Sequence, residues 1–144
     1  MDLQNLLFRF GGRINRARYW IGIAAIFAFL LVVIVIIELL PFGTFGDTPS
    51  YVVLGAGSIG AIWINLALSA KRLHDRNKSA WWILLFWLLP AMLVSVGAGI
   101  GMSSFGLPLA LAGAAIVMWA FVEMGCLRGT EGQNAYGADP LPSA

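Results

Sequence analysis

Four stretches of almost unbroken apolar residues alternate with short polar segments along the chain. They cover residues 20–40, 51–70, 81–101 and 107–126, and none of them contains a Lys or an Arg. A helix rises ~1.5 Å per residue, so about 20 residues cross the ~30 Å hydrocarbon core of a bilayer. Each stretch therefore predicts one transmembrane helix. Ahead of them, Leu3, Leu6, Leu7 and Phe10 recur at helical spacing and predict a short amphipathic helix in the interface, ended by Gly11-Gly12. Asn15 is placed to cap the first crossing. The connection over 41–50 is short and turn-rich, which makes the first two helices antiparallel neighbours. Residues 127–144 change character: Gly129, Gly132, Gly137, Pro140 and Pro142 preclude a regular helix and predict successive turns.

The charged positions orient this pattern. All nine basic residues fall before residue 20, between 70 and 80, or at Arg128. With four crossings, these segments share one side of the membrane, so the positive-inside rule puts both termini and the tail in the cytosol. Tyr19 and Trp20, then Trp81 and Trp82, mark helix ends at the headgroup level. The expected architecture is all-α: an integral membrane four-helix bundle forming one domain over 1–144, with a cytosolic tail over 127–144.

Composition agrees. The chain is 60% hydrophobic and 11% charged, with mean hydropathy +0.85, well outside the range of soluble domains. The first apolar run exceeds the ~7–15 residues of a signal-peptide core, and Pro41-Phe42-Gly43 follows it instead of a cleavage site. One cysteine, Cys126, and one histidine, His74, exclude an internal disulfide, a CxxC redox pair and a Cys/His zinc site. No cofactor is expected. Cys126 reads as a small interfacial apolar residue, with acylation as the alternative. The cationic inner face attracts anionic lipid headgroups, and its cations hug the membrane, which argues against nucleic acid.

Three segments stand out at the ends of the apolar runs. The first is Phe10-Gly11-Gly12-Arg13-Ile14-Asn15-Arg16, leading to Tyr19-Trp20. The second is Lys71-Arg72-Leu73-His74-Asp75, leading to Ser79-Ala80-Trp81-Trp82. The third is Gly129-Thr130-Glu131-Gly132-Gln133-Asn134-Ala135-Tyr136-Gly137-Ala138-Asp139-Pro140. Together, and in this order, they resemble the bacterial inner-membrane family designated domain of unknown function 805. Asn77 and Ala80 stand where that family usually has glycine. The resemblance implies a multi-pass protein of the bacterial inner (plasma) membrane and implies no activity.

All three segments fall on the predicted cytosolic side, so Arg13, Arg16, Arg72, His74, Asp75, Trp81, Trp82, Asn134, Tyr136, Gly137 and Asp139 are expected to form one cluster. Asp75 follows Arg72 by three residues and Lys71 by four, within reach on a helical face. Asn134, Tyr136 and Asp139 are expected to bring acceptors and a ring from the tail to Arg13 or Arg72. Such a cluster either pins the tail and caps helices or forms a ligand or partner site.

The chemical candidates are few. His74-Asp75 lacks the further histidines of a metal-dependent hydrolase. In a triad with Ser69 or Ser79, Asp75 would be poorly placed, because adjacent helical residues diverge by about 100°. No catalytic set and no metal site are recognisable. His74 reads as an interfacial hydrogen-bonding group, with pH sensing as the alternative. Glu38 and Glu123 are ionisable groups inside apolar runs. Glu123 has Arg72, Arg13 or Arg128 as candidate partners; Glu38 either reaches headgroup water or serves ion-coupled transport as a protonated carboxyl. Asn65 lies on the stripe Ala61, Asn65, Ser69, Arg72, which lines a packed core or a wet cleft. Pro90 predicts a kink, for packing or as a hinge. The pairs Ala56/Gly60, Gly57/Ala61 and Gly97/Gly101 suit close helix packing, inside the chain or in a dimer.

The leading expectation is a non-enzymatic membrane protein whose cytosolic cluster binds a partner or maintains the envelope. Its partners would be membrane lipids, further copies of itself or another membrane protein. Small-solute or ion transport by a homo-oligomer is the alternative, and an enzyme acting on lipid headgroups is a third.

Overall fold

A computed structural model describes residues 3–39, 48–101 and 105–141, and all its regular elements are helical. They are α1 (Leu3–Phe8), α2 (Arg16–Leu39), α3 (Thr48–Asp75), α4 (Leu89–Ile100) and α5 (Gly106–Phe121). A π-helical turn, Leu84–Leu88, leads into α4, and another, Val122–Cys126, continues α5. Three helical segments are long and apolar enough to cross a membrane: Arg16–Leu39, Pro49–Asp75 and Gly106–Cys126. The helix expected over 81–101 is shorter, an apolar segment spanning Leu84–Ile100. The connection expected over 41–50, up to residue 47, and Pro142 at the chain's end lie outside the described residues. α2 starts directly after Asn15, whereas α1 stops at Phe8 and leaves Phe10 outside it.

The residues sort into two compact units. The first comprises residues 1–10 and 17–68. Within it α2 and α3 run antiparallel. A side chain at Gly22 would come within 2.5 Å of Leu68, while at the other end Gly57 lies against Val33 and Phe29. Tyr19, Gly22, Ile26 and Val33 form the narrow buried stripe of α2. The remaining faces are apolar and open: Phe27 is 70% exposed, Ile59 71% and Leu39 78%. Such surfaces suit hydrocarbon as their solvent. Of the expected small-residue stripe, Gly57 and the buried Ala61 take the inward side, and Gly60 meets open space. Phe10 packs edge-on against Trp63 at 5.2 Å between ring centroids.

The second unit holds the loop Gly11–Arg16, the last turns of α3 from Ser69, and everything from there to the end of the chain. Its apolar part is the antiparallel hairpin of α4 and α5. At Gly97 an added Cβ would stand 2.6 Å from the Gly106 carbonyl oxygen, and at Gly113 it would meet Val94 at 2.9 Å and the Pro90 carbonyl oxygen at 3.1 Å. Side chains there would force the two backbones apart. Gly101, expected to pack beside Gly97, instead terminates α4 with φ 85°. Proline has no N–H and its ring crowds the preceding turn. Around Pro90 the chain widens to π geometry, with the Leu89 N–H donating to the Leu84 carbonyl.

Candidate functional site

α3 ends where an L residue takes the left-handed conformation. Asn77 has φ 56°, and the N–H groups of Asn77 and Lys78 donate back to the His74 and Leu73 carbonyls, both at 2.9 Å. This is the Schellman arrangement, with Asn in place of glycine. The tail adds bonds to two carbonyls near this helix end. The Asp75 carbonyl accepts the Thr130 N–H at 2.8 Å and its hydroxyl at 3.0 Å. The His74 carbonyl accepts Asn134 Nδ2 at 2.9 Å. A helix C-terminus is thus completed by residues far away in sequence.

Arg13 draws the tail in. Its Nη1 donates to the Gly132 and Gly137 carbonyls at 2.6 and 3.1 Å, its Nη2 to the Thr130 carbonyl, and its Nε to Asp75 Oδ1 at 3.1 Å. Arg72 takes the other carboxylate oxygen of Asp75. Asp75 is 2% exposed and Arg72 is fully buried, so one carboxylate bridges two enclosed guanidinium groups. Their geometry is set by the planar, multi-donor fork of arginine, which lysine lacks. Gly129 lies so close to this carboxylate that any Cβ there would overlap it. The expected bond between Arg72 and Asp75 is present, and Lys71 is fully buried as well.

The end of α5 is held in return by arginines. Arg72 donates through Nε to the Met124 carbonyl at 2.6 Å and through Nη2 to the Leu127 carbonyl. Arg16 reaches the Cys126 carbonyl at 3.3 Å, and Arg76 the Arg128 carbonyl. Cations at a helix C-terminus also complement its partial negative charge. Glu123 pairs with Arg76 at 3.0 Å and Lys78 at 2.9 Å, which corrects the expected choice among Arg72, Arg13 and Arg128. Arg13 and Arg72 are engaged by Asp75, and Arg128 pairs with Glu131 at 3.1 Å. Lys78 also lies 4.5 Å from the centroid of the Trp82 ring, which meets Phe86 and Trp119.

His74 is occupied on two sides. Its Nδ1 is 3.2 Å from the Gly12 carbonyl, and its ring stacks on Tyr136 with centroids 4.0 Å apart. Asn134 and Gly137 exchange backbone hydrogen bonds and close a tight turn. Asp139 accepts the N–H groups of Leu141 and Gly132, which hold its carboxyl below the usual aspartate value. It therefore stitches the tail to itself; it does not bond Arg13 or Arg72 directly among the described hydrogen bonds. Trp81 stays outside the cluster, 77% exposed. Glu38 is exposed near the end of α2, and no ion pair forms on it among the described residues; Asn65 is half-buried in the first unit.

Thr130, Gly129, Arg76 and Lys78 are the contributors that sequence reasoning did not single out. Thr130 and Gly129 sit inside a recognisable motif, but their roles depend on touching Asp75 from across the chain. Beside this network lies a pocket of about 240 Å³, whose walls include Asn15, Arg16, Arg128, Glu131, Asp139 and Leu141. No group of three His, Cys, Asp or Glu side chains suited to a metal ion assembles among the described residues.

Residues 7–138 match the model of a protein family described as protein of unknown function (DUF805), and the chain belongs to that family. It is 31% identical over 143 residues to the uncharacterized protein YiiR of Escherichia coli K12, covering 96% of this chain and 90% of that protein. It is 26% identical over 132 residues to the inner membrane protein YhaH of the same organism, covering 91% and 86% respectively. No solved structure matches the chain.

Proposed function

We propose that this DUF805 member is a non-enzymatic, multi-pass protein of the bacterial inner membrane, with both termini in the cytosol. The loop, the end of α3 and the tail form a rigid cytosolic platform that binds a membrane-protein partner. One observation carries this reading: the Arg13 guanidinium joins Asp75 to three carbonyls of the tail, so the most distinctive polar residues build a surface and do not point at a substrate. A basic platform also suits the cytosolic side, where anionic headgroups lie within reach.

The test is native mass spectrometry of the protein extracted from its own membrane. A stoichiometric protein partner retained by the wild type and lost from an Asp75→Asn, Asp139→Asn double variant supports the platform. An Ile59→Leu variant, altered on the open apolar surface of α3, should keep the partner. Wild-type protein that carries no partner refutes the reading.

A further inference from the structure

We infer that the pocket beside the platform binds a phosphate joined by a two-carbon arm to a primary ammonium, the chemistry of a phosphoethanolamine headgroup. Its lining is mixed in sign. Arg16 uses one nitrogen on the Cys126 carbonyl at 3.3 Å, and a guanidinium has five N–H donors, so donors remain. The Arg128 side chain pairs with Glu131, the two side chains being 69% and 76% exposed, a weak pair that a ligand can separate. Each oxygen of Asp139 accepts one backbone N–H, at 2.8 and 2.9 Å, and a carboxylate oxygen has a second lone pair to offer. Asp75 on the pocket wall is already matched by Arg13 and Arg72.

Simple ions fit this lining badly. A bare anion drawn to Arg16 and Arg128 meets Glu131 and Asp139, and a bare cation meets the arginines. A zwitterion answers both sets, with phosphate on the arginines and ammonium on the carboxylates. The volume of about 240 Å³ is roughly eight times the ~30 Å³ of a water molecule in the liquid, room for a headgroup of this size. Pro140 and Leu141 offer an apolar wall to the two-carbon arm. The pocket exists only while the tail is folded, so the inference rests on the platform being a stable structure; it does not need the protein partner.

The full chain in nanodiscs is compared with phosphatidylethanolamine, phosphatidylcholine or phosphatidylglycerol doped into a neutral background, with retained lipid read by native mass spectrometry. The ethanolamine lipid should be retained roughly tenfold better than the other two, because a trimethylated ammonium cannot donate hydrogen bonds and glycerol brings no cation. Arg128→Gln and Glu131→Gln alter exposed side chains, and each should abolish the preference while the thermal unfolding midpoint stays unchanged. Soluble phosphoethanolamine that binds with the same variant sensitivity, without lipid enrichment, supports the same chemistry with a soluble source. Equal retention of all three lipids together with no binding of the soluble compound overturns the inference, as does a preference for phosphatidylglycerol. A wild type that shows no lipid preference and no binding of the soluble compound, with a protein partner still bound, would refute this site alone and leave the platform standing.

Discussion

Among the described residues, one of the two compact units buries charged side chains and the other does not. In the first, the outward surface is Phe27, Ile59 and Leu39, and the inward contacts are small or aliphatic groups such as Gly22, Gly57 and Val33. In the second, Arg72, Lys71 and Asp75 are enclosed together with Ile14 and Leu73. The first arrangement tolerates exchange, because one aliphatic side chain in hydrocarbon resembles another. The second does not, because an enclosed charge needs a particular partner at a particular distance. Specificity in this molecule therefore lies in its polar network, and its long helices provide anchorage.

Substitutions can sharpen that contrast. The largest effect should come from Asp75→Asn, which leaves two buried guanidinium groups without their anion. Removing one member of a buried pair costs about 3–5 kcal/mol, and the thermal midpoint in detergent should fall accordingly. Gly129→Ala comes next, because its methyl group overlaps the Asp75 carboxylate. A cost of about 1–3 kcal/mol is expected, read as faster proteolytic cleavage within residues 127–141. Tyr136→Ala removes the ring stacked on His74 and should cost about 1 kcal/mol by the same assay. Ile59→Leu, in the first unit, should stay within about 0.5 kcal/mol of wild type in the same melts. A drop as large as that of Asp75→Asn would erase the distinction between the units.

Acid offers a smaller probe. Asp139 is held below its ordinary value by the Leu141 and Gly132 N–H groups, so the folded tail favours its ionised form. That contribution is complete above the ordinary aspartate range and is lost as pH falls through the lowered value. Amide exchange at Gly132 and Leu141, corrected for intrinsic rates, should quicken there, and Asp139→Asn should remove the pH dependence.

The helices were legible in the sequence because hydrocarbon demands long apolar runs, and hydropathy records those runs directly. The π-helical turn over Leu84–Leu88 was not, since a proline announces a disturbance without saying whether the backbone bends or widens. In the polar region the motifs pointed to a cluster, and the pairing of Arg72 with Asp75 followed from helical spacing. The partners of Glu123 did not, because several cations were close enough in principle and only packing selected Arg76 and Lys78. Arg13 shows the deeper limit. Three of its four hydrogen-bond partners are backbone carbonyls, groups every residue carries and no side chain advertises. The contacts of Thr130 and Gly129 with Asp75 were hidden for the same reason: they depend on where the chain returns.

The claim most exposed to test is that Arg13 holds the tail folded. Hydrogen exchange should be followed amide by amide in wild type and in Arg13→Gln, both in nanodiscs. Thr130, Asn134 and Gly137 should be protected in wild type and exchange at nearly unfolded rates in the variant, while the amides of α4 and α5 keep their protection. Unchanged protection of the tail in Arg13→Gln would contradict it.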